Sequence, residues 1–145
     1  MKKYIHYGST NFGRRVFVVP TNVFAFTKPS GGLWASPVDA EFGWKDWCER
    51  EDFDWCDLKK SFTFTLRESA RVLCVSSVEV LRDLPQQHKI GDFTNWTLLD
   101  FEKLLADGWD AVEVSISADP RLYWTLYGWD CDSVVVLNPD VIVEE

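Results

Sequence analysis

Two short segments near the start of the chain each join a strand-like run to a turn, and they constrain the fold more than any other feature. The first covers 4–9 and contains His6 and Gly8, and the second covers 31–37 and contains Trp34. Glycine accepts positive φ angles and lets the backbone approach a ligand closely. We therefore predict two neighbouring strands whose ends, with a histidine on one and an aromatic ring on the other, form a pocket.

The rest of the chain mixes helix-like and strand-like patterns without a regular repeat. Apolar runs, one of them strictly alternating, predict strands at 62–66, 71–75, 111–116 and 134–137. A serine or threonine followed three residues later by an acidic residue predicts helix starts at Ser36, Ser76 and Thr97. Irregular mixing of the two element types is typical of the α+β class. At 145 residues, the chain is predicted to form one domain over 1–145.

Charge and hydropathy exclude several classes of function. With 15 Lys and Arg against 23 Asp and Glu, the chain carries a net charge of −8, and its basic residues are dispersed. No nucleic-acid partner is therefore expected, because phosphate neutralisation needs clustered cations. No apolar run approaches the ~18 residues that span a bilayer, and no secretory h-region is present. We expect no membrane partner and a soluble, cytoplasmic protein.

Cysteines and acidic residues carry weaker information. Cys48, Cys56, Cys74 and Cys131 lack Cys-x-x-Cys spacing, so neither a metal site nor a disulfide framework is expected. Reduced thiols in or near the core are predicted. The acidic segment 49–57 fits a solvated helix end or loop, and it also fits a docking surface for a basic partner. The turn-rich segment 20–32 contains two phenylalanines and predicts an ordered loop over a site.

Four segments together resemble the ADP-ribosyltransferase family, in particular its poly(ADP-ribose) polymerase-like branch. His-Tyr-Gly-Ser at 6–9 and Gly-Leu-Trp-Ala-Ser at 32–36 are similar to the family's His-Gly-Ser and Gly-hydrophobic-Tyr-Phe-Ala segments. Gly-Trp-Asp at 108–110 and the run at 132–142 are similar to its Gly-Tyr-Asp-Gly and Glu-x-Val-Val-Phe-Asn-Pro strands. The resemblance implies a single α+β domain with a split β-sheet and a few short helices.

This resemblance implies that NAD is bound as a substrate and that its nicotinamide–ribose bond is cleaved. The implied NAD-binding residues are His6, Gly8, Ser9, Trp34, Ser36 and Trp44. Backbone groups of Gly8 would hold the carboxamide and His6 the adenosine ribose. Trp34 and Trp44 would stack on the ring, with Ser36 beside it. The histidine and both tryptophans also fit ordinary structural positions.

The catalytic carboxylate is predicted at Asp132, with Asp130 as the second candidate. Counting back from Asn-Pro at 138–139 aligns the family glutamate with Ser133. A shift of one residue along a strand reverses the side-chain face unless a bulge compensates. Glu113, on the preceding predicted strand, is a further carboxylate outside the family pattern.

Two classes of function remain open from the sequence. One is an NAD-consuming enzyme that transfers ADP-ribose to a protein or small acceptor, or hydrolyses NAD, as a toxin or phage-conflict factor would. The other is a catalytically inactive, acidic protein-interaction module with the same fold. Release of nicotinamide from NAD distinguishes them.

Overall fold

Among the described residues, short apolar runs form the seven strands of one mixed sheet. The computed structural model describes residues 1–87 and 96–145. The strands are β1 Lys3–Tyr7, β2 Leu33–Pro37, β3 Ser61–Leu66, β4 Val72–Val75, β5 Ala111–Val114, β6 Ser133–Val136 and β7 Ile142–Glu144. Their order across the sheet is β4-β5-β6-β2-β1-β3-β7. Strands β4 and β5 run parallel, and the other neighbours are antiparallel.

The pairing between β1 and β2 is short, and this positions the site. These strands pair only at Tyr4 with Pro37 and at Ile5 with Ser36. On its other edge, β1 pairs with β3 along its whole length, from Lys3 to Tyr7. The end of β1 therefore stays with β3 while the start of β2 stays with β6, so the sheet opens between β1 and β2.

Four short α-helices surround the sheet in the described residues. They are α1 Trp44–Arg50, α2 Val78–Leu81, α3 Phe101–Ala106 and α4 Arg121–Thr125. Short 3-10 helices occur at Arg14–Val16, Ile116–Ala118 and Pro139–Val141. None of the helices in the described ranges is long and apolar enough to span a bilayer. The protein is thus a small single-domain α+β protein with few helices, as its sequence predicts.

Each face of the sheet carries its own hydrophobic cluster. Val112 and Val135 belong to the cluster around the fully buried Trp129. Their strand neighbours Val134 and Ala111 belong to the cluster around Phe64. This alternation follows from the two-residue period of a strand, which sends successive side chains to opposite faces.

The predicted helix start at Ser36 is wrong. Residues 33–37 form β2 because they pair with strands on both sides, and α1 begins only at Trp44. Gly43 is the N-cap of α1, and its N–H donates to the Asp46 carboxylate at 2.9 Å. Ser36 still provides a hydrogen-bond acceptor for the N-terminus of α1, because its Oγ accepts from Trp44 N–H at 2.9 Å.

The other helix starts are shifted. Helix α2 follows Ser77 instead of Ser76, and α3 follows Asp100 instead of Thr97. The Asp100 carboxylate accepts from Lys103 N–H, whereas Thr97 N–H donates to the carbonyl of Thr125. The predicted strands at 62–66, 71–75, 111–116 and 134–137 are confirmed within two residues at each end. Helix α4 and strand β7 were not predicted.

The structure also shows how far the cysteine side chains and the acidic segment 49–57 are exposed. All four cysteines are free. Cys48 and Cys131 are buried as expected, but Cys74 is exposed on β4. The acidic side chains of 49–57 are exposed around the end of α1, which agrees with a solvated helix end.

Candidate functional site

A cavity of about 330 Å³ lies where β1 and β2 separate. Strands β1 and β2, the start of α1 and the turn before β6 supply its walls. Six residues singled out in the sequence line it: His6, Trp34, Ser36, Trp44, Asp130 and Ser133. The predicted neighbourhood of His6 and Trp34 is therefore confirmed.

His6 bridges the two strands at the point where their pairing stops. Its Nδ1 lies 2.6 Å from the carbonyl oxygen of Trp34. A carbonyl oxygen only accepts, so Nδ1 carries the hydrogen and donates it. In the neutral ring, Nε2 is then an acceptor. The ring also packs on Phe62, with 5.2 Å between centroids.

The backbone of Tyr7, and not that of Gly8, faces the cavity. Gly8 N–H donates to the carbonyl of Lys60 at 2.8 Å, on the β3 side. Backbone groups alternate in direction along a strand, so the N–H and C=O of Tyr7 point toward β2. Since β1 and β2 no longer pair there and Tyr7 lines the cavity, a donor and an acceptor face the gap.

Two of the residues expected to contact NAD, Gly8 and Ser9, do not line this cavity. Gly8 is absent from the cavity wall, and its amide is already engaged. Ser9 is also absent from the wall, and its hydroxyl donates to the carbonyl of Asn11. Because Tyr7 separates His6 from Gly8, the glycine lies one residue beyond the end of β1, and its N–H points to the β3 side.

Two tryptophans form the aromatic walls. Trp34 donates from Nε1 to the carbonyl of Gly31 at 3.2 Å and packs on Trp129, with 4.9 Å between ring centroids. Trp44 stacks on Trp47 at 5.1 Å and 15° and donates from Nε1 to Cys56 Sγ at 3.5 Å. Both rings are half-buried and held in place, so they give the cavity fixed flat surfaces.

Ser36, Ser133 and Cys131 form the floor. Ser36 is buried and ties β2 to the start of α1 through Trp44 N–H. Ser133 donates from Oγ to the carbonyl of Cys131 at 3.2 Å. Burial raises the pKa of the Cys131 thiol to about 12, so this thiol is neutral and unreactive at physiological pH.

Asp130 and Lys28 bring opposite charges to the cavity wall. Burial raises the pKa of Asp130, while the charge of Lys28 acts to lower it. Burial lowers the pKa of Lys28, while Asp130 acts to raise it. Lys28 was not predicted as a site residue, because a single lysine in a loop belongs to no recognisable motif. The only related signal was the predicted ordered loop over 20–32.

Asp132 lies outside this cavity. Its carboxylate accepts from Ser117 N–H at 2.8 Å, from Ser117 Oγ at 2.6 Å and from Phe42 N–H at 3.2 Å. It borders a second cavity of about 260 Å³ with Glu113, whose carboxylate accepts from Tyr4 Oη at 2.6 Å. Asp132 therefore joins the loop at Phe42 to the 3-10 helix at Ser117, and neither Asp132 nor Glu113 lines the first cavity.

Comparisons of the chain with protein-family models, with curated proteins and with solved structures found no match. Within 1–87 and 96–145, no group of three or more His, Cys, Asp or Glu side chains is placed to hold a metal ion. The cavity between β1 and β2 is therefore the feature from which a function can be inferred.

Proposed function

We propose that the cavity between β1 and β2 binds the nicotinamide end of NAD and that the protein transfers ADP-ribose to an acceptor. The supporting observation is that predicted site residues from separate parts of the chain line the same cavity. His6, Trp34, Ser36, Trp44 and Asp130 come from four separate parts of the chain, Trp34 and Ser36 sharing one segment, and they line one cavity. Its volume of about 330 Å³ lies near the lower end of small-molecule pockets, which suits one end of a dinucleotide.

The cavity offers nicotinamide both stacking and polar contacts. In this proposal the pyridine ring stacks on an indole face of Trp34 or Trp44. The carboxamide oxygen accepts from Tyr7 N–H, and its NH₂ group donates to the carbonyl of the same residue. His6 Nε2 accepts from a ribose hydroxyl. Tyr7 thus takes the role expected of Gly8.

Asp130 is the carboxylate available for chemistry at this site. When the bond between C1′ and the ring nitrogen breaks, its electron pair leaves with neutral nicotinamide and the ribose becomes cationic. An acceptor oxygen or nitrogen then bonds to C1′ and releases its proton to water. A partly desolvated carboxylate beside C1′ stabilises the cation more strongly than the ground state.

One observation favours a second function, binding without turnover. Ser133, which aligns with the family glutamate, lines the cavity with a hydroxyl in place of a carboxylate. If Asp130 does not replace the glutamate, the protein is an NAD-binding interaction module with an exposed acidic surface at the end of α1.

Nicotinamide release from NAD, followed by chromatography, tests the enzymatic proposal. Asp130→Asn should lower the rate by about 10²–10³, the usual cost of losing one preorganised electrostatic group, and should weaken NAD binding far less than it lowers the rate. Asp54→Asn, which removes an exposed acidic charge, serves as the control. An active wild type with an equally active Asp130→Asn variant would remove Asp130 from the mechanism. An inactive wild type that binds NAD would favour the second function.

Tryptophan fluorescence tests the binding step. NAD should quench the wild type saturably, and Trp34→Ala should abolish the effect while the far-UV circular dichroism spectrum is retained. Trp55, which is 89% exposed and does not line the cavity, provides the matched control Trp55→Ala. Absence of saturable quenching at millimolar NAD contradicts the proposed site.

A further inference from the structure

A lysine side chain covers the indole of Trp34. Lys28 Nζ lies over the ring, 5.3 Å from its centroid, within the ~6 Å of a cation–π contact. The indole is fixed by its hydrogen bond to Gly31 and by packing on Trp129. The ammonium therefore rests on a rigid aromatic surface inside the cavity.

The charge of Lys28 is only partly compensated. Among the ion pairs between described residues, none includes Lys28 or Asp130. The two side chains line the same cavity and influence each other's pKa, so they are near without being in contact. The aromatic face and the nearby carboxylate thus form a position that favours a positive charge.

We infer that this position is a subsite for a planar cationic ring, and that Lys28 occupies it in the free protein as an internal competitor. Identification of the ring as the pyridinium of NAD rests on the proposed function. Two cations over one ring face repel each other, so a bound pyridinium must displace the ammonium. The flexible four-carbon stem of lysine allows Lys28 to move toward solvent.

The same competition would favour product release. Cleavage takes the positive charge away from the ring and leaves neutral nicotinamide. A neutral ring is held less strongly by the carboxylate of Asp130 and by the quadrupole of Trp34. The Lys28 ammonium can then return to the indole and displace the product.

Ligand-observed NMR titrations with 1-methylnicotinamide, a cation, and nicotinamide, its neutral counterpart, test the inference. Lys28→Met removes the charge but keeps an apolar stem. We expect it to tighten 1-methylnicotinamide binding about tenfold, while nicotinamide binding changes less than roughly threefold. Lys28→Gln should act in the same direction. Lys59→Met, at an exposed position away from the cavity, should change neither.

N-methylpyridinium, a cation without the carboxamide, separates the two proposals. If Lys28→Met binds it more tightly than the wild type but no protein binds nicotinamide or its methyl derivative, the cation subsite stands and the NAD proposal fails. If both nicotinamide ligands bind the wild type but Lys28→Met and Lys28→Gln leave the affinity for the cations unchanged or weaker, Lys28 is no competitor and only this inference is overturned.

Discussion

Asp132 holds a loop and a short 3-10 helix together, so its replacement should reduce stability and spare the proposed site. The residue is only 4% exposed, and its carboxylate accepts three hydrogen bonds. In Asp132→Asn, one oxygen becomes an NH₂ group that meets the N–H of Ser117 or Phe42, donor against donor. Because hydrogen bonds to charged groups contribute about 1.5–3 kcal/mol each, we expect a loss of about 2–3 kcal/mol in the free energy of unfolding.

Urea and thermal unfolding followed by circular dichroism measure this loss. For a chain of this size, it corresponds to a fall in Tm of roughly 4–12 °C. Asp130→Asn, at the half-buried cavity wall, is the comparison and should change stability much less. At a temperature where it is folded, Asp132→Asn should bind NAD like the wild type. Wild-type stability in Asp132→Asn, or a larger loss in Asp130→Asn, would refute this role.

Two further predictions concern the stability of the fold. Hydrogen bonds from Arg121 hold the pKa of Asp119 at about 2, below its ordinary 3.8, so the unfolded chain binds more protons in that range and stability falls as pH falls. The free energy of unfolding, measured with urea at several pH values, should fall less steeply with decreasing pH in Arg121→Gln than in the wild type. Equal pH dependence in the two proteins would contradict the pairing of Arg121 with Asp119. Gly31 has a φ of +85°, and a Cβ there would lie 2.7 Å from the carbonyl oxygen of Val18, whereas at Gly8 the nearest contact is 3.7 Å. Both glycines have positive φ, so the extra clash at Gly31 should make Gly31→Ala cost about 1 kcal/mol more stability than Gly8→Ala, and equal melting curves would be inconsistent with this.

Most strands could be predicted from local residue patterns. The proximity of β1 and β2 could be predicted because both segments show the features of a strand that borders a pocket. Alternation at 62–66 predicts β3, and the apolar run at 134–137 predicts most of β6. Paired glycines before Trp34 and a glycine after His6 indicate two strand ends. A pocket needs such ends to converge, and they do.

The remaining features depend on contacts that no local pattern contains. Ser36 looks like a helix cap in the sequence, and it does accept from a helix N–H, but from that of Trp44 across a loop. The exposure of Tyr7 backbone groups depends on where β1 and β2 stop pairing. The direction of the Asp132 side chain, just before β6, is set by its hydrogen bonds with Phe42 and Ser117.

The central claim is that NAD binds with its nicotinamide end between β1 and β2. Titration of ¹⁵N-labelled protein with NAD, followed by two-dimensional NMR, tests it residue by residue. We expect saturable shifts at the amide of Tyr7 and at the indole N–H groups of Trp34 and Trp44, with little change at Ser117. No saturable shift, or shifts centred on Ser117 and Asp132 at the second cavity, would contradict the claim.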